Sequence, residues 1–180
     1  MKLVLNTIEV ERTIATLRGK SPAAFVRSLN RGIAAGRTLL VRNVRREMRL
    51  KSRQVRDRTT VTNATFDRPS ATITASPKPV PAIEFSARGP EPSRGRGRGV
   101  VTRLPSGRLP HAFITTVGTG RHRGVFQRVG RARLPIREVK GPSVWFVASK
   151  AQHLDPVADR VLEQAAKTLE HEIGRLLRRA

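Results

Sequence analysis

The sequence predicts an α+β fold: a long helix near the start, an antiparallel sheet of several short strands in the middle, and an amphipathic helix at the end. Three observations carry this. Phe25, Leu29, Ile33, Gly36, Leu40, Val44 and Met48 recur at steps of three or four, which lines one face of a helix. "VTNATF", "ATITAS", "PAIEFSA", "HAFITTV", "GVFQRVG" and "VWFVAS" are short β-branched or alternating runs, parted by Pro, Gly, Asp and Ser, as strands are. Ala158, Val161, Leu162, Ala165, Leu169, Ile173, Leu176 and Leu177 then stripe a second helix.

The elements follow in order. Residues 1–20 read as an N-terminal arm, with an apolar start, "KLVLNTIEV", that suits a strand or an extended segment. A single domain, 21–180, follows. Ser21-Pro22 opens its first helix, serine as N-cap and proline in the first turn where no amide donor is needed. The face opposite the apolar stripe carries Arg27, Arg31, Arg42, Arg45, Arg46 and Arg49, which suits solvent, a protein partner or phosphates. After a break near Leu50, "KSRQVRDR" predicts a short second helix. "SPKPVP" predicts an edge strand or a linker, because proline cannot donate to a ladder.

Residues 88–109 read as a flexible loop. Here Arg94, Arg96 and Arg98 alternate with glycines, and Arg88, Arg103 and Arg108 flank them against one acid, Glu91. Mutual repulsion and glycine freedom oppose a packed structure in the free chain. "HAFITTV" and "GVFQRVG", joined by "GTGRHR", predict a hairpin. "VWFVAS" predicts a buried strand holding the sole tryptophan. Asp155-Pro156 repeats the cap-plus-proline signal for the final helix.

The chain of 180 residues is long enough to bury a core, and the charge is the outlier. Lys and Arg number 36 against 13 acids, a formal net charge of +23. The excess is spread evenly, +12 over residues 1–90 and +11 over 91–180. Such a field repels other copies and attracts polyanions, acidic protein surfaces or anionic membranes. Arginine outnumbers lysine 29 to 7 beside abundant Ala, Gly and Pro; a GC-rich genome accounts for that preference but not for the shortage of acids. The absence of cysteine excludes disulfides, thiolate metal sites and a cysteine nucleophile. No apolar run approaches the ~18 residues of a membrane span, and "MKLVLNTIEVER" is too short and too soon acidic for a secretory signal.

Catalytic patterns are missing. His111, His122, His153 and His171 show no metal spacing, and His171-Glu172 lacks the second histidine of a zinc-protease helix. Glu138-Val139-Lys140 resembles half of a nuclease site, but no aspartate lies between Asp67 and Asp155. The expectation is no enzyme and no cofactor. Stacking on nucleic-acid bases needs free aromatics, whereas Phe25, Phe66, Phe85, Phe113, Phe126, Phe146 and Trp145 all fall in predicted core positions. Phosphate contact alone stays open.

The run "HAFITTVGTGRHRGVFQRVGRARLPIREVKGPSV", residues 111–144, resembles the phage minor tail protein Z family, the tail-completion proteins of long-tailed phages. Its block 124–144 is the specific part. More loosely, the helix from Ser21, "RLKSRQVRDRTTV", "IEFSARG", the basic loop and the last helix fit as well. The resemblance implies a structural protein of the virion at the head-proximal end of the tail, acting late so that the tail can join a filled head. It implies a homo-oligomeric ring, six-fold in proteins of this neck region, with a tail terminator or tube protein and the head–tail connector as partners. Contact with packaged DNA is a further possibility, and no membrane is involved. On this reading Arg94, Arg96, Arg98, Arg103, Arg108, Arg128, Arg133 and Arg137 are the candidate interface or DNA contacts, while Phe126, Leu134, Ile136 and Val139 are core. Gly130 and Gly141-Pro142 set turns. A general nucleic-acid-binding protein of the ribosomal or nucleoid kind is the alternative from another class. Tail terminator and connector are alternative roles within the neck.

Overall fold

Helix α1, Pro22–Met48, begins at the proline that the sequence marked; the serine expected to cap it lies outside the described residues. The computed structural model describes residues 22–91, 99–118, 121–130 and 132–178. Phe25, Ile33, Gly36, Leu40, Val44 and Met48 of the expected stripe are buried, and Leu29 is half-buried. Twenty-seven residues make a rod of about 40 Å, long enough to serve as the spine for everything that follows.

The spine's main partner is the last helix, α4, Ala151–Leu177. The two run antiparallel: Arg27 meets Glu172 near one end, at 2.8 Å, while Glu47 meets His153 at the other, at 2.5 Å. Gly32 and Gly36 make the close approach possible. A Cβ at Gly32 would stand 2.7 Å from the carbonyl oxygen of Val161, and one at Gly36 would strike the Val161 side chain. Each glycine costs a helix interior about 1 kcal/mol relative to alanine. Here the contact between the helices offsets that cost.

A short helix α2, Ser52–Arg56, follows the break, as expected. The strands then come in antiparallel pairs or triples: β1 (Thr59–Thr62) with β2 (Thr72–Ala75), β3 (Pro79–Pro81) with β9 (Lys140–Ser143), β4 (Val100–Val101) with β5 (Arg108–Leu109), and β6 (Ala112–Val117), β7 (His122–Arg128) and β8 (Ile136–Glu138) in one three-stranded sheet. The α+β class is the one the sequence predicted, with the strands of the described residues shared among four small sheets. Asn30 fixes the end of β1 to the spine, accepting from the Ala64 amide at 2.7 Å and donating to its carbonyl at 3.1 Å. One core gathers Leu40, Val44 and Met48 of α1 with Ile73, Val80, Phe85, Val100, Ile114, Val125 and Val157.

Several expectations are corrected. "VWFVAS" is a helix, α3 (Val144–Ala148), because the Ser143 hydroxyl accepts from the Phe146 amide at 3.1 Å and caps it. Asp155-Pro156 does not open the last helix. That helix starts four residues before Asp155, where Lys150's carbonyl accepts from the His153 and Leu154 amides, and Pro156 sits inside it. The proline removes one intrahelical bond, a loss the long contact with α1 tolerates. "PAIEFSA" is strand only to Pro81 and then a 3-10 turn, Ala82–Glu84. Gly141 and Pro142 lie within β9 rather than in a turn. Of the aromatics assigned to the core, Phe66 is 66% exposed and Phe146 58%.

The junction of the two long helices is held by one carboxylate. Glu47 accepts from Lys150, from Gln152 Nε2 at 2.9 Å, and pairs with His153. The Lys150 hydrogen bond, followed by the His153 one, holds its carboxyl below the usual glutamate value of 4.5, although burial opposes them. A lowered folded-state pKa means this stabilisation is complete above the ordinary glutamate range and is lost as pH falls through the lowered value. Glu47→Gln should therefore cost about 0.5–1 kcal/mol at pH 7 and nothing at strongly acid pH. Urea unfolding of both proteins at the two pH values checks this; equal destabilisation at both would show that shape, not charge, matters there.

Candidate interaction surface

The arginines singled out in the sequence fall into three sets. Arg94, Arg96 and Arg98 lie outside the described residues. Arg103 and Arg108 belong to the β4–β5 hairpin, which occupies part of the stretch expected to be a loop. Arg128, Arg133 and Arg137 belong to the β7–β8 hairpin.

The β4–β5 hairpin is built on Phe85. The Arg103 amide donates to the Phe85 carbonyl at 2.8 Å, and Phe85 itself is buried. Arg88 forms an isolated bridge to Val101, exchanging two backbone bonds of 2.8 Å, and Val101 pairs with Arg108 across the hairpin. Directly opposed residues share a face, so Arg88, Val101 and Arg108 form one row. All three are exposed. Arg103 stands apart at the turn, on the rim of a cleft of about 460 Å³. Phe85, Leu104, Pro105 and Phe146 line that cleft, with Arg49 and Lys150 also at its wall.

The β7–β8 hairpin separates its arginines. Arg128 pairs with Ile136 and Arg137 with Gln127, so the two side chains point to opposite faces. Arg128 lies over the Phe113 ring, 6.0 Å from its centroid, a cation–π distance. On that same face Phe113, Phe126 and Glu138 stand in one cross-strand row. The missing side chain of Gly124 leaves room beside them. A Cβ there would come within 3.0 Å of Glu138 Oε1 and of the Phe126 ring. Through this gap Glu138 reaches His122 at 2.7 Å, and it also meets Lys140 at 3.7 Å. Glu138, noted in the sequence only as half of an incomplete nuclease pattern, is thus the polar bracket of the sheet.

At the tip of this hairpin the chain turns between Val129 and Pro135, whose carbonyl accepts from the Val129 amide at 3.1 Å. Val129 is 62% exposed and Leu134 67%. Leu134 was expected in the core; the turn carries it outward instead. Phe126, by contrast, is buried as expected, and Ile136 and Val139 are half-buried. The tip therefore presents two large apolar side chains beside Arg128 and Arg133, both exposed.

A family model described as prophage minor tail protein Z matches residues 9–180, a span that includes both hairpins and both long helices. The chain belongs to that family. This minor tail protein is a structural component of a phage tail, and so of the virion. No curated protein and no solved structure is matched. Among the described residues the tail protein has no helix long and apolar enough to cross a membrane. Of His171-Glu172, the glutamate is put to structural use: Glu172 is buried against Arg27 and Arg175, at 2.8 and 2.6 Å, and the Arg27 bond, then Arg175, holds its carboxyl below the usual value. Sequence reading missed the tip's apolar pair. The signal was present in "RVGRARLPIR", where Val129 and Leu134 stand among arginines, a glycine and a proline, as turn residues do.

Proposed function

We propose that this chain completes the tail at its head-proximal end, assembling as a six-fold ring that lets the tail join a filled head. The observation that supports this most is the β7–β8 tip. Val129 and Leu134 form an exposed apolar centre with Arg128 and Arg133 beside it, the chemistry of a protein interface rather than of a phosphate track. The tip also lies in the most distinctive block of the sequence.

Charge bears on the partners. Six copies at +23 each would carry +138, and such a ring requires acidic neighbours or DNA threading its centre to offset self-repulsion. The tail terminator or tube protein and the head–tail connector are the proposed neighbours, with packaged DNA second. In this reading residues 21–180 act as one domain behind an arm of residues 1–20. Arg94, Arg96 and Arg98 join Arg103 and Arg108 in contacting a neighbour.

Electron microscopy of a lysate from phage lacking this gene tests the proposal. Full heads beside separate tails of normal length are expected. Normally joined particles would remove the chain from the neck.

A further inference from the structure

A second basic feature lies along α1. Between α1, α2 and β1 runs a groove of about 1080 Å³, lined by Arg37, Arg42, Arg45 and Arg56, with Val61 and Asn63 along its far wall. Its one acid, Asp57, pairs with Arg53 at 3.6 Å. The remaining wall is small and uncharged, including Ala34, Thr38, Ser52 and Thr60.

The far wall is a strand edge. β1 pairs only with β2 among the described residues. The Ser76 amide donates to the Arg58 carbonyl at 2.8 Å, so Arg58 and Ser76 are a hydrogen-bonded pair. Following the register, Thr60 with Thr74 and Thr62 with Thr72 bond in the same way, while Thr59 and Val61 turn their backbone groups away from β2. Arg37 confirms the direction independently, because its Nη2 donates to the outward Thr59 carbonyl at 2.9 Å. Val61 therefore offers an N–H and a C=O to the groove. Arg37 adds a second unmet need: its Nε is buried with no hydrogen-bond partner among the described residues.

We propose that this groove takes an extended acidic segment of a partner protein, which adds to the free edge of β1 as a third strand. Backbone pairing at Val61 supplies register and part of the affinity, as in other strand additions. Acidic side chains of the segment meet Arg42, Arg45 and Arg56, which are exposed on the groove wall. Charge complementarity selects the occupant: the groove carries four cations against an acid already paired. Nucleic acid would use the arginines but not the alternating donor and acceptor of a strand edge. The inference stands whether or not the chain acts in tail completion.

The test uses the full chain and a synthetic peptide of alternating threonine and glutamate. Binding should slow hydrogen exchange across residues 59–63. Arg42→Glu with Arg45→Glu should weaken it about ten- to thirty-fold at low salt. Val61→Pro removes the outward donor while leaving the bonds to β2, a change an edge strand accepts, and should weaken binding about three- to ten-fold. Peptide methylated on alternate amides should lose a similar factor, and it decides the matter if the proline variant fails to fold. Unchanged affinity in both of these tests would overturn strand addition. So would short duplex DNA protecting 59–63 more strongly than the peptide does. A β1 edge already protected in the full chain, and exposed by deleting residues 1–11, would name the chain's own arm as the occupant and overturn the proposal too.

Discussion

Phe85→Ala is expected to lower the stability of the folded chain by about 3–5 kcal/mol, the range for emptying a buried aromatic site. The ring is 1% exposed and serves as a floor for two strand pairs at once. β9 lies against it so closely that a Cβ at Gly141 would be 2.8 Å from ring atom Cε2. The Phe85 backbone is engaged on both sides, its amide donating to Ala82 at 3.1 Å and its carbonyl accepting from Arg103 at 2.8 Å. Removing the ring leaves a void that β9 cannot fill without shifting against β3, nor the β4–β5 hairpin without giving up the Arg103 bond. Against a total of about 5–15 kcal/mol for a domain, such a loss is a large share. Urea unfolding followed through Trp145 fluorescence should show a lower midpoint with little change in slope. Phe146→Ala is the control, since that ring is 58% exposed and its loss should cost under about 1 kcal/mol. Similar costs for the two would mean that burial at Phe85 does not organise the region.

The same contrast between Phe85 and Phe146 marks where the sequence was readable. Long periodic segments declared themselves: seven positions of the α1 stripe and the alternation of β6 and β7 leave few other solutions. Five residues of α3 do not. Val144, Trp145, Phe146, Val147 and Ala148 are β-branched or apolar almost throughout, so no period separates strand from helix. The Ser143 cap was the one local sign. Pro156 misled for a related reason, because a proline rule describes the helix alone and α4 is seated on α1 along its length. At the surface, arginine counting found Arg128 and Arg133 but grouped Leu134 with Phe126, Ile136 and Val139 as core. Neither Arg37 nor Arg56 was singled out as a contact residue. They come together with Arg42 and Arg45 only because α2 folds back along α1, where Arg37 Nη2 reaches the Arg56 carbonyl at 3.3 Å, a long-range fact that spacing does not carry.

Val129→Asp with Leu134→Asp is expected to abolish production of joined particles while leaving the isolated chain folded. Both side chains are largely in solvent, so their removal empties no cavity, and surface changes of this kind usually stay within about 0.5 kcal/mol. The new carboxylates would also stand beside Arg128 and Arg133, where opposite charge is locally favourable in the free chain. At an interface the balance reverses. An apolar centre that must desolvate two carboxylates loses several kcal/mol unless the partner supplies matched cations, and a loss of that size is a factor of at least a hundred in association. Complementation of a gene-disabled phage, scored by infectious titre, together with the unfolding midpoint of the purified variant, separates the two effects. Full titre from the double variant would remove the tip from the assembly surface. Arg128→Gln with Arg133→Gln should behave differently, reducing assembly most at low salt, with a deficit relative to the unaltered chain that narrows as salt rises, because rim charges act through screened fields. The aspartate pair should fail at every ionic strength, since what it disrupts is burial and not attraction.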